Sequence, residues 1–181
     1  MSKIGKKPIH IPAGVTIDIQ NGKCTANGPL GQIVIVLHPA VDVKVEEGNI
    51  IVSLKKATKL TQPLWGTMAS LIQGAVKGVT EGYQVELILQ GIGFTAESTG
   101  NKITFKLGYA HPVVLDVPTG ITAEAKKQRG FYAITIKGIN KQEVGNFAGI
   151  IRKMKKADPY KIKGFRYVGE VVRKKQVKKT A

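Results

Sequence analysis

The chain is poor in the residues that enzyme and metal chemistry use. A single cysteine, Cys24, rules out an internal disulfide framework and fits a reducing compartment. The three histidines, His10, His38 and His111, lie far apart, and with one cysteine they give no metal-ligand spacing. No phosphate loop, nucleophile elbow or Cys/His pair with a third member can be found. No apolar run approaches the roughly 18 residues of a membrane span. The opening MSKIGKKPIHIP lacks the apolar centre of a signal peptide and the Arg/Ser-rich character of a transit peptide. Aromatic residues make up only 6%, so any core must be aliphatic. These absences leave a binding or structural protein, with no catalytic residue, no metal, no cofactor and no small-molecule substrate expected.

Acidic residues are the other scarcity. Twelve Asp and Glu face 28 Lys and Arg, a formal charge of +16, and its distribution is uneven. Lys3, Lys6 and Lys7 put +3 on the first seven residues, and residues 152–181 carry twelve bases against Asp158 and Glu170, a net of +10. The body between has thirteen bases and ten acids. Basic ends on a nearly balanced body are the electrostatic footprint of a protein that meets a polyanion.

The body alternates. Val15–Gln20, Lys23–Asn27, Ile33–Leu37, Val41–Val45 and Ile50–Leu54 read as short strands, with Asn21-Gly22 a hairpin turn. From Thr61 the period changes: Leu64, Trp65, Met68, Leu71, Ile72, Ala75 and Val76 form one apolar helical stripe, with Lys77-Gly78 expected to stop it. The plan then repeats. Val85–Gln90, Phe94–Ser98, Ile103–Leu107, Val113–Val117, Ile121–Ala125 and Phe131–Ile136 read as strands. A helix from Asn140 follows, with Glu143 completing a capping-box pattern.

Two copies of one sheet-plus-helix unit predict an α+β fold: tandem duplicated domains, each an antiparallel sheet on one main helix. The expected division is residues 1–82, residues 83–172 as the second repeat, and a basic flexible tail, 173–181. His38-Pro39 and His111-Pro112 serve as repeat anchors, and the second copy carries an insertion near Lys126–Gly130. Gly66 and Gly145, inside the two helical stripes, are expected to let helix and sheet approach closely, offsetting about 1 kcal/mol of lost helix propensity each.

Two small clusters take their bland readings. Glu46-Glu47 is a solvated pair at a turn. Gly91-Ile92-Gly93 stands between strands and not before a helix, so it reads as a bulge or tight backbone approach and not as a dinucleotide loop.

The C-terminal stretch does not. Arg152, Lys153, Lys155 and Lys156 end the second helix, where the helix dipole accounts for one or two cations but not four. Asp158-Pro159 turns the chain, and Tyr160, Lys161, Lys163, Gly164, Phe165, Arg166 and Tyr167 then interleave bases, aromatics and glycine as a loop. Bases contact phosphate, glycine admits close backbone approach, and aromatics stack on exposed nucleobases. Phe165 is the exception, expected to pack the segment onto its domain. Arg173, Lys174, Lys175, Lys178 and Lys179 read as an arm that orders on its target.

At residues 157–170, ADPYKIKGFRYVGE, the chain resembles bacterial-type large-subunit ribosomal protein six, whose pattern is close to PDPYKGKGIRYxGE. SKIGKKPIHIP, GVTEGY, GIGF and GINKQEVGNFA are also similar to that family. Ile162 departs from the family's usual glycine and Ala157 from a common proline. The resemblance implies a structural constituent of the large ribosomal subunit that binds 23S-type rRNA, principally through residues 83–172, near the base of the lateral stalk and the translation-factor docking region. It further implies a role in translation and subunit assembly, with neighbouring ribosomal proteins as partners and translation factors nearby. It places the protein in cytoplasmic ribosomes, or in those of the plastid stroma. On the residues alone, a DNA-architectural protein or a polybasic membrane-surface protein also fits the tail.

Overall fold

The structure is a computed structural model, and it describes residues 4–46 and 48–176. The described residues form two compact units. One runs up to Gly82 and includes Ile139–Lys141; the other comprises Tyr83–Gly138 and the chain from Gln142 onward.

In the first unit β1 (Ile9–His10), β2 (Thr16–Gln20), β3 (Lys23–Gly28), β4 (Gly31–Val36), β5 (Val41–Glu46) and β6 (Asn49–Leu54) precede α1 (Thr61–Thr80). They pair antiparallel in two sheets, β2-β3-β4 and β1-β6-β5. The β2–β3 hairpin turns at Asn21-Gly22 with φ of 50° and 71°, the two positive values a type I′ turn requires. Cys24, Val43, Ile50 and Val52 on the sheets bury against Ala69, Ile72 and Val76 of α1. The Trp65 indole donates to the Val52 carbonyl at 2.7 Å. The side chain of Glu47 lies outside the described residues.

The second unit repeats this plan with β7 (Tyr83–Gln90), β8 (Thr95–Thr99), β9 (Lys102–Lys106), β10 (Val113–Asp116), β11 (Ile121–Gln128), β12 (Phe131–Gly138) and α2 (Lys141–Met154), and adds β13 (Gly164–Tyr167). Its sheets run β10-β9-β8 and β11-β12-β7-β13. The order β7-β12-β11 corresponds to β1-β6-β5, and β8-β9-β10 to β2-β3-β4, which is the duplication in topological form. Strands β11 and β12 have eight residues each where β5 and β6 have six, so the extra length of the second copy is at the Lys126–Gly130 hairpin tip. Leu87, Leu89, Phe105, Ile134, Ile136, Phe147, Ile151 and Phe165 form the core.

Four sequence expectations are corrected. The helix α1 does not stop at Gly78: Val79 is fully buried, and that burial carries the helix past the glycine. It ends at Thr80, and Gly82 just beyond, φ 76°, closes the end with its N–H on the Gly78 carbonyl at 3.1 Å. His38-Pro39 lies between β4 and β5, whereas His111-Pro112 lies between β9 and β10, so the two dipeptides are not repeat equivalents. Gly145 is exposed with nothing within 4 Å of a Cβ placed on it, so close helix–sheet approach does not account for that glycine. The segment expected to be a loop after Asp158 contains β13.

Candidate nucleic-acid interface

The basic segment is built from the end of α2 back onto the sheet. Past Met154 the chain makes a narrow return in which the Ile162 N–H bonds the Asp158 carbonyl (2.8 Å) and the Asp158 N–H bonds the Lys163 carbonyl (2.9 Å). An Asp158 carboxylate oxygen accepts from the Tyr160 N–H at 3.0 Å, an Asx turn that sets the corner ahead of the bases. Ile162 has φ 55°. A β-branched residue there is strained, and glycine is the residue that fits, which gives the departure from the family pattern a physical meaning.

Gly164 (φ 132°) then opens β13. A Cβ at this position would lie 2.6 Å from the carbonyl oxygens of both Lys155 and Lys156. The close approach that this glycine allows is therefore to the end of α2. The next residue uses it: the Phe165 N–H bonds the Lys155 carbonyl at 2.8 Å, and Phe165 bridges Lys156 in parallel. Strand β13 also pairs antiparallel with β7, Phe165 opposite Leu89 and Tyr167 opposite Leu87. Phe165 is fully buried, edge-on to Phe105 with centroids 5.3 Å apart.

Charge on the segment is sorted by partner. Arg152 pairs with Glu170 and lies over the Tyr167 ring at 5.4 Å. Glu170 accepts in addition from the Tyr167 N–H at 3.0 Å. The Arg152 hydrogen bond first, and that N–H second, hold the Glu170 carboxyl below the usual carboxylate range. Lys155 lies 4.7 Å over the Tyr109 ring, whose hydroxyl donates to the Met154 carbonyl at 2.9 Å. Arg166 donates to the Gln90 side-chain oxygen at 3.2 Å. Lys153, Lys156, Tyr160 and Lys161 are exposed, while Lys163, Arg166 and Tyr167 are half-buried.

Arg173, Lys174 and Lys175 are exposed and outside regular structure, with the Lys175 N–H on the Pro159 carbonyl at 3.0 Å. Lys3 at one end, and Lys178 and Lys179 of the arm at the other, lie outside the described residues. Gln90, Ile92 and Lys127 are not among the residues that the sequence pattern marks. The fold brings Gln90, Ile92 and Lys127 around a cleft they share with Lys161 and Lys163. The signal was the run Lys126-Lys127-Gln128-Arg129 at a hairpin tip, read there only as an insertion.

Among the described residues no group of three or more His, Cys, Asp or Glu comes together to hold a metal ion. None of the described helices is long and apolar enough to cross a membrane. The arrangement brings together exposed lysines, a few half-buried donors and partly exposed aromatics.

The sequence model of the family described as Ribosomal protein L6 matches residues 11–82 and 90–168. Relatives named large ribosomal subunit protein uL6 match nearly end to end. That of Caldicellulosiruptor bescii is 43% identical over 178 residues, covering 98% of this chain and 96% of the relative. That of Dictyoglomus turgidum is 42% identical over 176 residues (97% and 96%), and that of Hahella chejuensis 41% over 179 residues (99% of both).

Proposed function

The chain belongs to the ribosomal protein L6 family, which is not enzymatic, and from that premise we propose that it is a structural constituent of the large ribosomal subunit that clamps rRNA through its second unit. The observation that carries this reading is the basic segment itself. Its turn, strand and helix end are fixed by backbone hydrogen bonds, and its two carboxylates are both occupied within the segment, Glu170 on Arg152 and Asp158 on a turn N–H. Lys153, Lys156, Lys161 and Lys163 are thus held at fixed positions for phosphate. Phosphate contacts of this kind position RNA without reading its sequence. Tyr160, exposed at the corner, is available to stack on an unpaired base.

The finer placement belongs to the same proposal. The subunit site is the base of the lateral stalk near the translation-factor docking region, with neighbouring ribosomal proteins alongside. The role is in translation and subunit assembly, in cytoplasmic ribosomes. Binding to a large-subunit rRNA fragment should release counterions. With about six phosphate contacts on irregular RNA, the slope of log affinity against log salt is on the order of −4. Replacing Lys161, Lys163 and Arg166 together with glutamine should weaken binding more than removing Arg173–Ala181. A slope near zero refutes the clamp, and the reverse order moves the site to the arm. Comigration of tagged protein with the large subunit in a sucrose gradient tests the placement.

A further inference from the structure

We infer that the second unit carries a pocket for one unstacked RNA nucleotide, at the end of its four-stranded sheet and apart from the phosphate-holding cations of α2. The inference rests on the RNA-binding reading above and deepens it. In the sheet register, Gln128 of β11 faces Phe131 of β12, Phe131 faces Gln90 of β7, and Gln90 faces Gly164 of β13. Four strand ends thus meet in one row. Around that row three separate segments close a cleft of about 450 Å³: the β11–β12 turn, the Gln90–Ile92 end of β7, and the approach to β13. The volume is in the range that takes a small ligand.

The lining divides into parts that fit the pieces of a nucleotide. Lys127 comes from the hairpin and Lys161 and Lys163 from the other side, and no carboxylate is among the lining residues. Three ammonium groups converging on one cleft repel one another, and the arrangement is relieved by an anion. Phe131 and Ile92 supply an aromatic and an apolar wall for a flat ring, while Tyr132, next to Phe131 on β12, packs against the core. Ile92 is 88% exposed, an apolar side chain that the protein's own core does not use. Gln90 has its side-chain oxygen committed to Arg166 at 3.2 Å, which leaves the amide N–H groups to donate to a base edge. Gly130, with nothing within 4 Å of a Cβ placed on it, leaves room at one margin. An inorganic anion would use only the lysines. An unpaired nucleotide uses the lysines, the walls and the amide together.

The test uses the full chain, isotope-labelled, with adenosine 5′-monophosphate and ribose 5-phosphate as probes and backbone amide shifts as the readout. The monophosphate should shift the amides of Gly91, Ile92, Gln128 and Gly130 saturably. It should bind roughly fivefold or more tightly than ribose 5-phosphate, the low end for one base on one aromatic wall. Lys127→Gln should weaken both probes severalfold. Ile92→Ser should narrow the difference between them and leave the rest of the spectrum in place. Equal affinity for the two probes, or shifts scattered over lysines elsewhere, would overturn the nucleotide pocket and leave a general cationic surface. The clamp fails independently, by a flat salt dependence with the rRNA fragment, so the two failures are distinguishable.

Discussion

Replacing Gly164 with alanine should unfasten the basic segment from its own domain. The new methyl group would lie 2.6 Å from two backbone carbonyl oxygens and 2.8 Å from a carbonyl carbon at the end of α2. Those atoms belong to the helix end, so no side chain can swing aside to relieve the contact. The backbone at φ 132° adds strain for any L residue, about 1–3 kcal/mol. If the strand moves away instead, the Phe165 N–H to Lys155 carbonyl bond is lost, at about 1 kcal/mol. Complete undocking exposes the buried Phe165 ring, at a cost of about 3–5 kcal/mol by comparison with Phe truncations. The least costly response lies between these limits, near 3 kcal/mol, which for a chain of this length lowers Tm by about 6–12 °C. Thermal unfolding followed by circular dichroism measures the loss, and hydrogen exchange at the Phe165 and Leu89 amides locates it.

Gly169→Ala is the internal control. Gly169 also has positive φ, 84°, but nothing lies within 4 Å of a Cβ there. It should cost only the conformational part, about 1 kcal/mol. Equal losses for the two variants would refute the claim that the helix-end carbonyls are what require glycine at 164. RNA affinity should fall in Gly164→Ala although the residue need not touch RNA, because the neighbouring Lys161, Lys163 and Arg166 lose their fixed positions.

Two further outcomes follow from the same segment. Ile162→Gly should be at least as stable as Ile162→Ala in urea unfolding, the reverse of the order at an ordinary half-buried site. Alanine keeps the left-handed strain of about 1–2 kcal/mol that glycine releases, against about 0.5–1 kcal/mol for glycine's extra chain freedom; a clearly less stable glycine variant contradicts the strained φ. Glu170→Gln should cost up to about 1 kcal/mol at neutral pH, discounted for the partial exposure of both partners. Because the folded-state pKa of Glu170 is depressed, first by Arg152, its contribution is full above the unfolded value of about 4.3 and disappears as pH falls through the lower folded value. Denaturation curves of wild type and variant should therefore converge in acid, and a gap that widens there would contradict the ion pair.

The sequence alone determined what local pattern can determine. Alternation and turn residues mark most strands of both units, and the stripe from Leu64 to Val76 marks α1, because period 2, period 3.6 and positive φ are properties of a few adjacent residues. The density of Lys and Arg after Ile151 marked out the segment proposed to hold a polyanion, since net charge survives any fold. Tertiary structure decided the rest. Gly164–Tyr167 is too short to announce itself, and it is a strand because the edge of β7 and the Lys155 carbonyl are there to receive it. Gly164 looked like a glycine for RNA to approach, but the backbone that approaches it is the protein's own. Gln90, Ile92 and Lys127 share a cleft with Lys161 and Lys163 only because β7 lies between β12 and β13, and pairing between residues so far apart in the chain leaves no local trace in the sequence.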